Sequence, residues 1–193
     1  SMSANLMEHF GHFLEQKMYT NNTSNAVIAY NGYLYGYEIL PEAAVSPQIA
    51  PLLDEVYPEI NAALVAELGV DPEKQAALAK KARAKYSDPE LVDRIIRNAK
   101  DPIRKLGPQD RLIAPAHMAL KHGIDPKVII RTIAAALYYD ELTDESAVEL
   151  KRLRETEGIP YILKNICKLD EKEVLYTRIL EAVEELKQEG ICQ

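Results

Sequence analysis

Cysteine is scarce: Cys167 and Cys192 lie far apart and outside any CxxC or zinc-ligand spacing. They read as one core thiol and one thiol near the tail, not as a redox or metal pair. No GxGxxG and no GxxxxGK[ST] occurs, nor the strand that precedes either, so the usual phosphate cradle of a nucleotide-binding domain is missing. No run of about 18 apolar residues is present, which excludes a membrane-spanning helix. The start of the chain has neither a basic segment nor a continuous hydrophobic signal segment, so a cytoplasmic location is expected. Ser1-Met2 reads as the scar of a cleaved tag followed by a start. Basic charge is also short: 23 Lys and Arg face 30 Asp and Glu, a net charge of -7. That balance argues against an extended nucleic-acid surface and leaves room for a local anion site. His9 and His12 lack an acidic or cysteine partner at ligand spacing, and His117 and His122 fall on poorly matched faces, so no metal is expected.

What is present is helical pattern. Apolar residues make up 47% of the 193 positions, enough for one substantial core in one domain or two intimate lobes. Asn22, Thr23 and Ser24 read as a cap for a helix running to Tyr37. On that helix Asn25, Ala29, Gly32 and Gly36 form a narrow face almost without bulk, while Val27, Tyr30, Leu34 and Tyr37 fill the core. Residues 47–68 are helical, with Pro51 and Pro58 predicting a kink or two shorter helices, and Gly69 closes them. Asp71-Pro72, Asp88-Pro89 and Asp125-Pro126 each pair a capping aspartate with a first-turn proline. Asp170 and Glu173 have capping-box spacing for a last helix ending near Lys187. Gly123 and Gly158 mark further helix ends. I-P-Y-I-L-K alone invites misreading as a strand. The expectation is an all-α domain of about eight helices with no substantial sheet.

Two stretches carry chemistry. Lys17 stands among amides and hydroxyls in Q-K-M-Y-T-N-N-T-S-N-A, next to the low-bulk helix. Partial burial near arginines lowers an amine's pKa towards neutrality, where it exchanges protons. Asn22 and Asn25 face the same point if the chain turns before the helix, and their amides donate or accept without changing charge. The second stretch, residues 94–111, holds six basic residues, Arg94, Arg97, Lys100, Arg104, Lys105 and Arg111, against Asp101 and Asp110. Pro102 and Gly107 place Arg104 and Lys105 at a helix junction, where an arginine fork suits a phosphate or carboxylate. An exposed lysine with a polar cap, and a solvated charge run, are the plainer readings of the two stretches.

The same stretches resemble the mannitol dehydrogenase family of polyol-specific long-chain dehydrogenases. That family carries a lysine, four residues, an asparagine, two residues and a histidine, then A-x-x-A-Y-x-G-Y. Here Lys17 and Asn22 match, Asn25 stands in the histidine's place, and A-V-I-A-Y-N-G-Y follows. D-P-I-R-K-L with D-R-L-I, and H-G-I-D-P-K-V-I-I-R-T-I-A-A-A-L-Y-Y-D, match later family segments in the right order. The resemblance implies that residues 3–193 form the C-terminal helical substrate domain. It further implies that NAD is bound mainly by an N-terminal Rossmann domain absent from this sequence, in cis or as a separate chain. It assigns Lys17 as general acid/base, Asn22 as holder of the reacting oxygen, and Asn25 to the histidine's hydrogen-bonding place without its charge. Arg104 becomes a substrate contact, with Lys105 and Arg111 as candidates for a phosphate. The implied reaction interconverts mannitol 1-phosphate and fructose 6-phosphate or a close analogue, with this chain inactive alone. The alternatives are a degenerate or sensing sugar-phosphate domain, and a dehydrogenase domain for sugar acids or unphosphorylated polyols.

Overall fold

In a computed structural model the described residues are 2–193; Ser1, half of the tag-scar reading, lies outside them. Twelve α-helices follow one another, eight of them nine residues or longer, and among the described residues the only sheet-like pairing is the isolated bridge of Ile39 with Arg94. The expected all-α class is what forms, and I-P-Y-I-L-K lies in a helix, Ile159–Asn165.

The core is organised around α9, Lys127–Leu137, in which nine residues from Val128 to Leu137 are buried. A helix apolar on nearly every side has to sit at the centre of its neighbours. It packs on α2 (Ser24–Leu34), α4 (Ala50–Leu68), α8 (Ile113–Lys121) and α12 (Val174–Gln188). Each fully buried Ile or Leu contributes about 1.5–3 kcal/mol. Its buried hydroxyl is satisfied: Thr132 Oγ1 donates to Val128 O and receives the Asn31 amide, both at 2.9 Å.

Several expected helix ends are corrected. No break precedes α2: α1 (Met2–Lys17) runs through a π-helical turn, Met18–Thr23, directly into it. Ser24, foreseen in a cap, instead donates its hydroxyl back to Thr20 O at 2.7 Å, as a mid-helix serine does. Helix α2 ends at Leu34, and Gly36, at φ +87, belongs to the turn beyond the small-residue face. Gly32 does serve close packing, since a Cβ there lies 3.0 Å from both Ala43 Cβ and Ile95 Cδ1.

Residues 50–68 form one helix, with Pro51 in its first turn and Pro58 inside. Asp71 caps α5 (Pro72–Lys85) as its sequence implies, accepting from Glu73 N and Lys74 N. Asp88-Pro89 starts only a turn, because residues 93–95 are taken up in pairing with residues 38–40 through Leu40 N–Asp93 O and Ile95 N–Glu38 O. Asp125 does not cap α9; Glu59 of α4 takes that role, and Asp125 pairs with Arg178. Half of the capping box forms, Asp170 N donating to Glu173, and α12 begins after it at Val174. Cys167 is buried, which pushes its thiol up to about 12, and Cys192 is half-buried near the tail.

Candidate functional site

The π turn sits where α1 meets the body of the domain. An i→i+5 turn carries one residue more than its α counterpart, so its carbonyls point away from the usual donors. Side chains take them up: Ser24 donates to Thr20 O and Asn21 O, and the Tyr86 phenol reaches Asn21 O at 3.5 Å. Thr23 Oγ1 donates to Arg111 O at 2.6 Å, and the buried Gln75 amide donates to Thr20 Oγ1 at 2.9 Å. These bonds tie the turn to the segment before α8 and to α5. With the neighbouring side chains engaged, Lys17 and Asn22 are left exposed on the open face.

Asn25, half-buried one turn on, donates its amide to Asn98 Oδ1 at 3.0 Å. Asn98 ends α6 (Ile95–Asn98), and its carbonyl receives Lys105 Nζ at 2.6 Å. Lys105 ends α7 (Pro102–Lys105), whose start is held by Asp101 in a left-handed conformation; Asp144 accepts from Asp101 N, and Ser146 from Ile103 N. Lys105 is 5% exposed. Burial lowers its ammonium pKa to about 8, and Arg111 and Arg104 beside it push the same way against Asp101 and Asp110. Lys105 thus occupies the desolvated setting next to arginines considered for Lys17, while Lys17 itself is exposed. Arg104 is exposed and lies against Asp101 at 3.2 Å and Asp110 at 3.7 Å. Arg111 is mostly buried and pairs with Asp110 at 2.8 Å.

The structure thus joins Asn25 to Lys105 through Asn98, with Arg104 and Arg111 around the lysine. It does not bring Lys17, Asn22 and Arg104 to one cavity. Lys17 lines a cleft of about 370 Å3 against α5 together with Asn21, and neither Asn22 nor Arg104 borders it. Asn98 and Tyr86 escaped the sequence reading because neither is charged and each is joined to the turn only by folding. Tyr86, buried under the turn, faces Ser24 and Asn25.

The residues present do not fit a dinucleotide. No sheet exists among the described residues, and the first donors of α5, α9 and α10 (Glu145–Thr156) are already taken by Asp71, Glu59 and Asp144. No group of three His, Cys, Asp or Glu able to hold a metal ion occurs among the described residues. No helix among them is long and apolar enough to cross a membrane.

The structure defines an all-helical domain with no dinucleotide cradle among its described residues. The family model described as mannitol dehydrogenase C-terminal domain matches residues 9–187, and the chain belongs to that family. It is 36% identical over 169 residues to a mannitol-1-phosphate 5-dehydrogenase of Bacillus pumilus, covering 88% of this chain and 44% of the relative. The protein of the same name from Caldanaerobacter subterraneus subsp. tengcongensis is 34% identical over 182 residues, 94% of this chain and 47% of the relative. That of Bacillus subtilis is 34% identical over 169 residues, 88% of this chain and 44% of the relative. The chain spans about half the length of the curated relatives it matches.

Proposed function

We propose that residues 3–193 are the substrate domain of an NAD-linked dehydrogenase interconverting mannitol 1-phosphate and fructose 6-phosphate or a close analogue. The carrying observation is the π turn that leaves Lys17 and Asn22 exposed while the side chains around them are bound into the domain. Lys17 takes the proton of the reacting hydroxyl and returns it in the reverse direction. Asn22 donates to the reacting oxygen, where a fixed donor stabilises developing alkoxide charge. Asn25, held by Asn98, orients the same oxygen without adding charge. Arg104, Lys105 and Arg111, expected as substrate contacts, are instead engaged by Asp101, Asp110 and the Asn98 carbonyl.

NAD supplies the hydride acceptor and is held by an N-terminal Rossmann domain, in cis or as a separate chain. The apolar side of α1 supports such a partner: Leu6 is 65%, Phe10 62% and Phe13 53% exposed. A stripe of that kind is ordinarily covered by another protein surface. The proposed location is cytoplasmic, with a small sugar-alcohol phosphate as ligand and neither nucleic acid nor membrane as partner.

The experiment is NAD reduction by the chain joined to its NAD-binding domain, assayed with mannitol 1-phosphate, mannitol and sugar acids. Lys17→Met is expected to lower kcat at least a hundredfold, the ordinary scale of general-base catalysis. Undiminished turnover by Lys17→Met would refute the assignment. The Asn25–Asn98 bond favours a second reading, a degenerate domain that binds a sugar phosphate without turning it over. In that case Asn25→His, which restores a chargeable donor, gains activity over an inactive wild type.

A further inference from the structure

The cleft that Lys17 lines is also bordered by the side chains of Lys81 and Lys85, and by no aspartate or glutamate. Phe13, Leu78 and Ala82 supply an apolar wall. None of the three lysines has an ion-pair partner among the described residues. The arginines foreseen as phosphate ligands are already compensated: Arg104 lies against Asp101 and Asp110, and Arg111 against Asp110. Arg83, on the same helix as Lys81 and Lys85, pairs with Asp54. The two uncompensated ammonium groups of Lys81 and Lys85 repel each other, and an anion entering between them relieves that repulsion.

We propose that this cleft receives a phosphomonoester, with Lys81 and Lys85 as its ligands, so that phosphate is selected here and not by Arg104 or Arg111. The inference deepens the reading of Lys17 as proton acceptor and rests on it for the nature of the substrate. Lys81 and Lys85 are one helical turn apart, about 6 Å along the axis, a spacing that lets two flexible amines converge on one phosphate. Lys17 on the facing wall then meets the polyol chain that the phosphate anchors. A ligand lacking the phosphate loses these contacts and keeps those to Lys17.

The test titrates this chain with inorganic phosphate and with mannitol 1-phosphate, with mannitol as neutral control, by calorimetry. Lys81→Gln/Lys85→Gln is compared with Lys74→Gln/Lys80→Gln, which removes the same charge from α5 outside the cleft. The cleft variant is expected to bind both phosphates at least about tenfold more weakly, 1.4 kcal/mol, while the control variant and Arg104→Gln stay within about twofold. Equal weakening in both double variants, loss in Arg104→Gln instead, or no phosphate binding by the wild type overturns the proposal. In the protein joined to its NAD-binding domain, Lys81→Gln/Lys85→Gln is expected to raise KM for mannitol 1-phosphate and leave that for mannitol unchanged. Turnover with an unchanged KM for mannitol 1-phosphate sinks this inference alone. Absence of turnover in every protein, with phosphate still lost from the cleft variant, sinks the dehydrogenase reading alone.

Discussion

Glu59 offers the sharpest test of how the core is assembled. It is 9% exposed within α4, and its carboxylate receives Val128 N at 2.8 Å and Ile129 N at 3.4 Å, among the first free donors of α9. Burial pushes its carboxyl from 4.5 up to about 7; the two N–H donors pull the other way, and Asp125 and Glu55 add to the rise. Between those pH values the folded protein holds a proton that the unfolded chain has released. The stabilisation is therefore complete below pH 4.5 and is lost as pH rises through 7. At about 1.4 kcal/mol per pH unit the window amounts to about 3 kcal/mol. Glu59→Gln keeps a carbonyl acceptor for α9 and removes the titration. Urea unfolding of both proteins at half-unit pH steps gives the difference directly, since all other groups cancel. Wild-type stability relative to the variant should fall by about 3 kcal/mol from pH 4.5 to 7 and then level off. Parallel curves would refute the reasoning. A difference rising with pH would mean that the two N–H donors outweigh burial and that Glu59 is ionised throughout.

Gly32→Ala should destabilise by about 1–3 kcal/mol in urea unfolding, because the added methyl meets Ala43 and Ile95 at 3.0 Å and overrides alanine's better helix propensity. Lys105→Met should abolish a pH dependence of opposite sign. The folded pKa of about 8 lies below the ordinary 10.5, so wild-type stability climbs by about 3 kcal/mol across that alkaline window while the variant's does not. Stability compared at the two ends of the window checks it, and equal slopes count against a buried ammonium. Tyr30→Phe removes the phenol that donates to Ala99 O at 2.8 Å, with an expected loss of about 1 kcal/mol and unchanged far-UV circular dichroism.

The parts of the fold legible in the sequence are those whose causes are local. Asp71-Pro72 caps α5 because the aspartate reaches amides two and three residues on. The same dipeptide fails at Asp88 and Asp125, where a distant segment decides. Residues 93–95 are claimed by the pairing with residues 38–40, and the α9 amides by Glu59, nearly 70 positions upstream. Nothing near Asp125 announces that competition. Gly32 was legible as a close approach, yet the neighbour that requires it, α3 (Leu40–Ala44), follows only after a turn whose Gly36 had seemed part of the same face.

The site shows a similar limit, and its cause is electrostatic. Counted along the chain, residues 94–111 are the basic region, and Lys81 and Lys85 are ordinary lysines near the end of an exposed helix. Counted in space, the order reverses. Asp93, outside the counted window, binds Arg97 at 2.6 Å; Asp101 and Asp110 occupy Arg104 and Arg111; and Lys105 is folded inward onto a carbonyl. Lys17 shares the wall of its cleft with Asn21 and faces α5, while Asn22 lies outside that cleft. A lysine-asparagine motif read from spacing supplies candidates for the reactive groups. Which charges stay uncompensated beside them is set by contacts between α1 and α5, more than 60 residues apart in the chain. The field at the cleft therefore follows from the fold, which a local charge count does not carry.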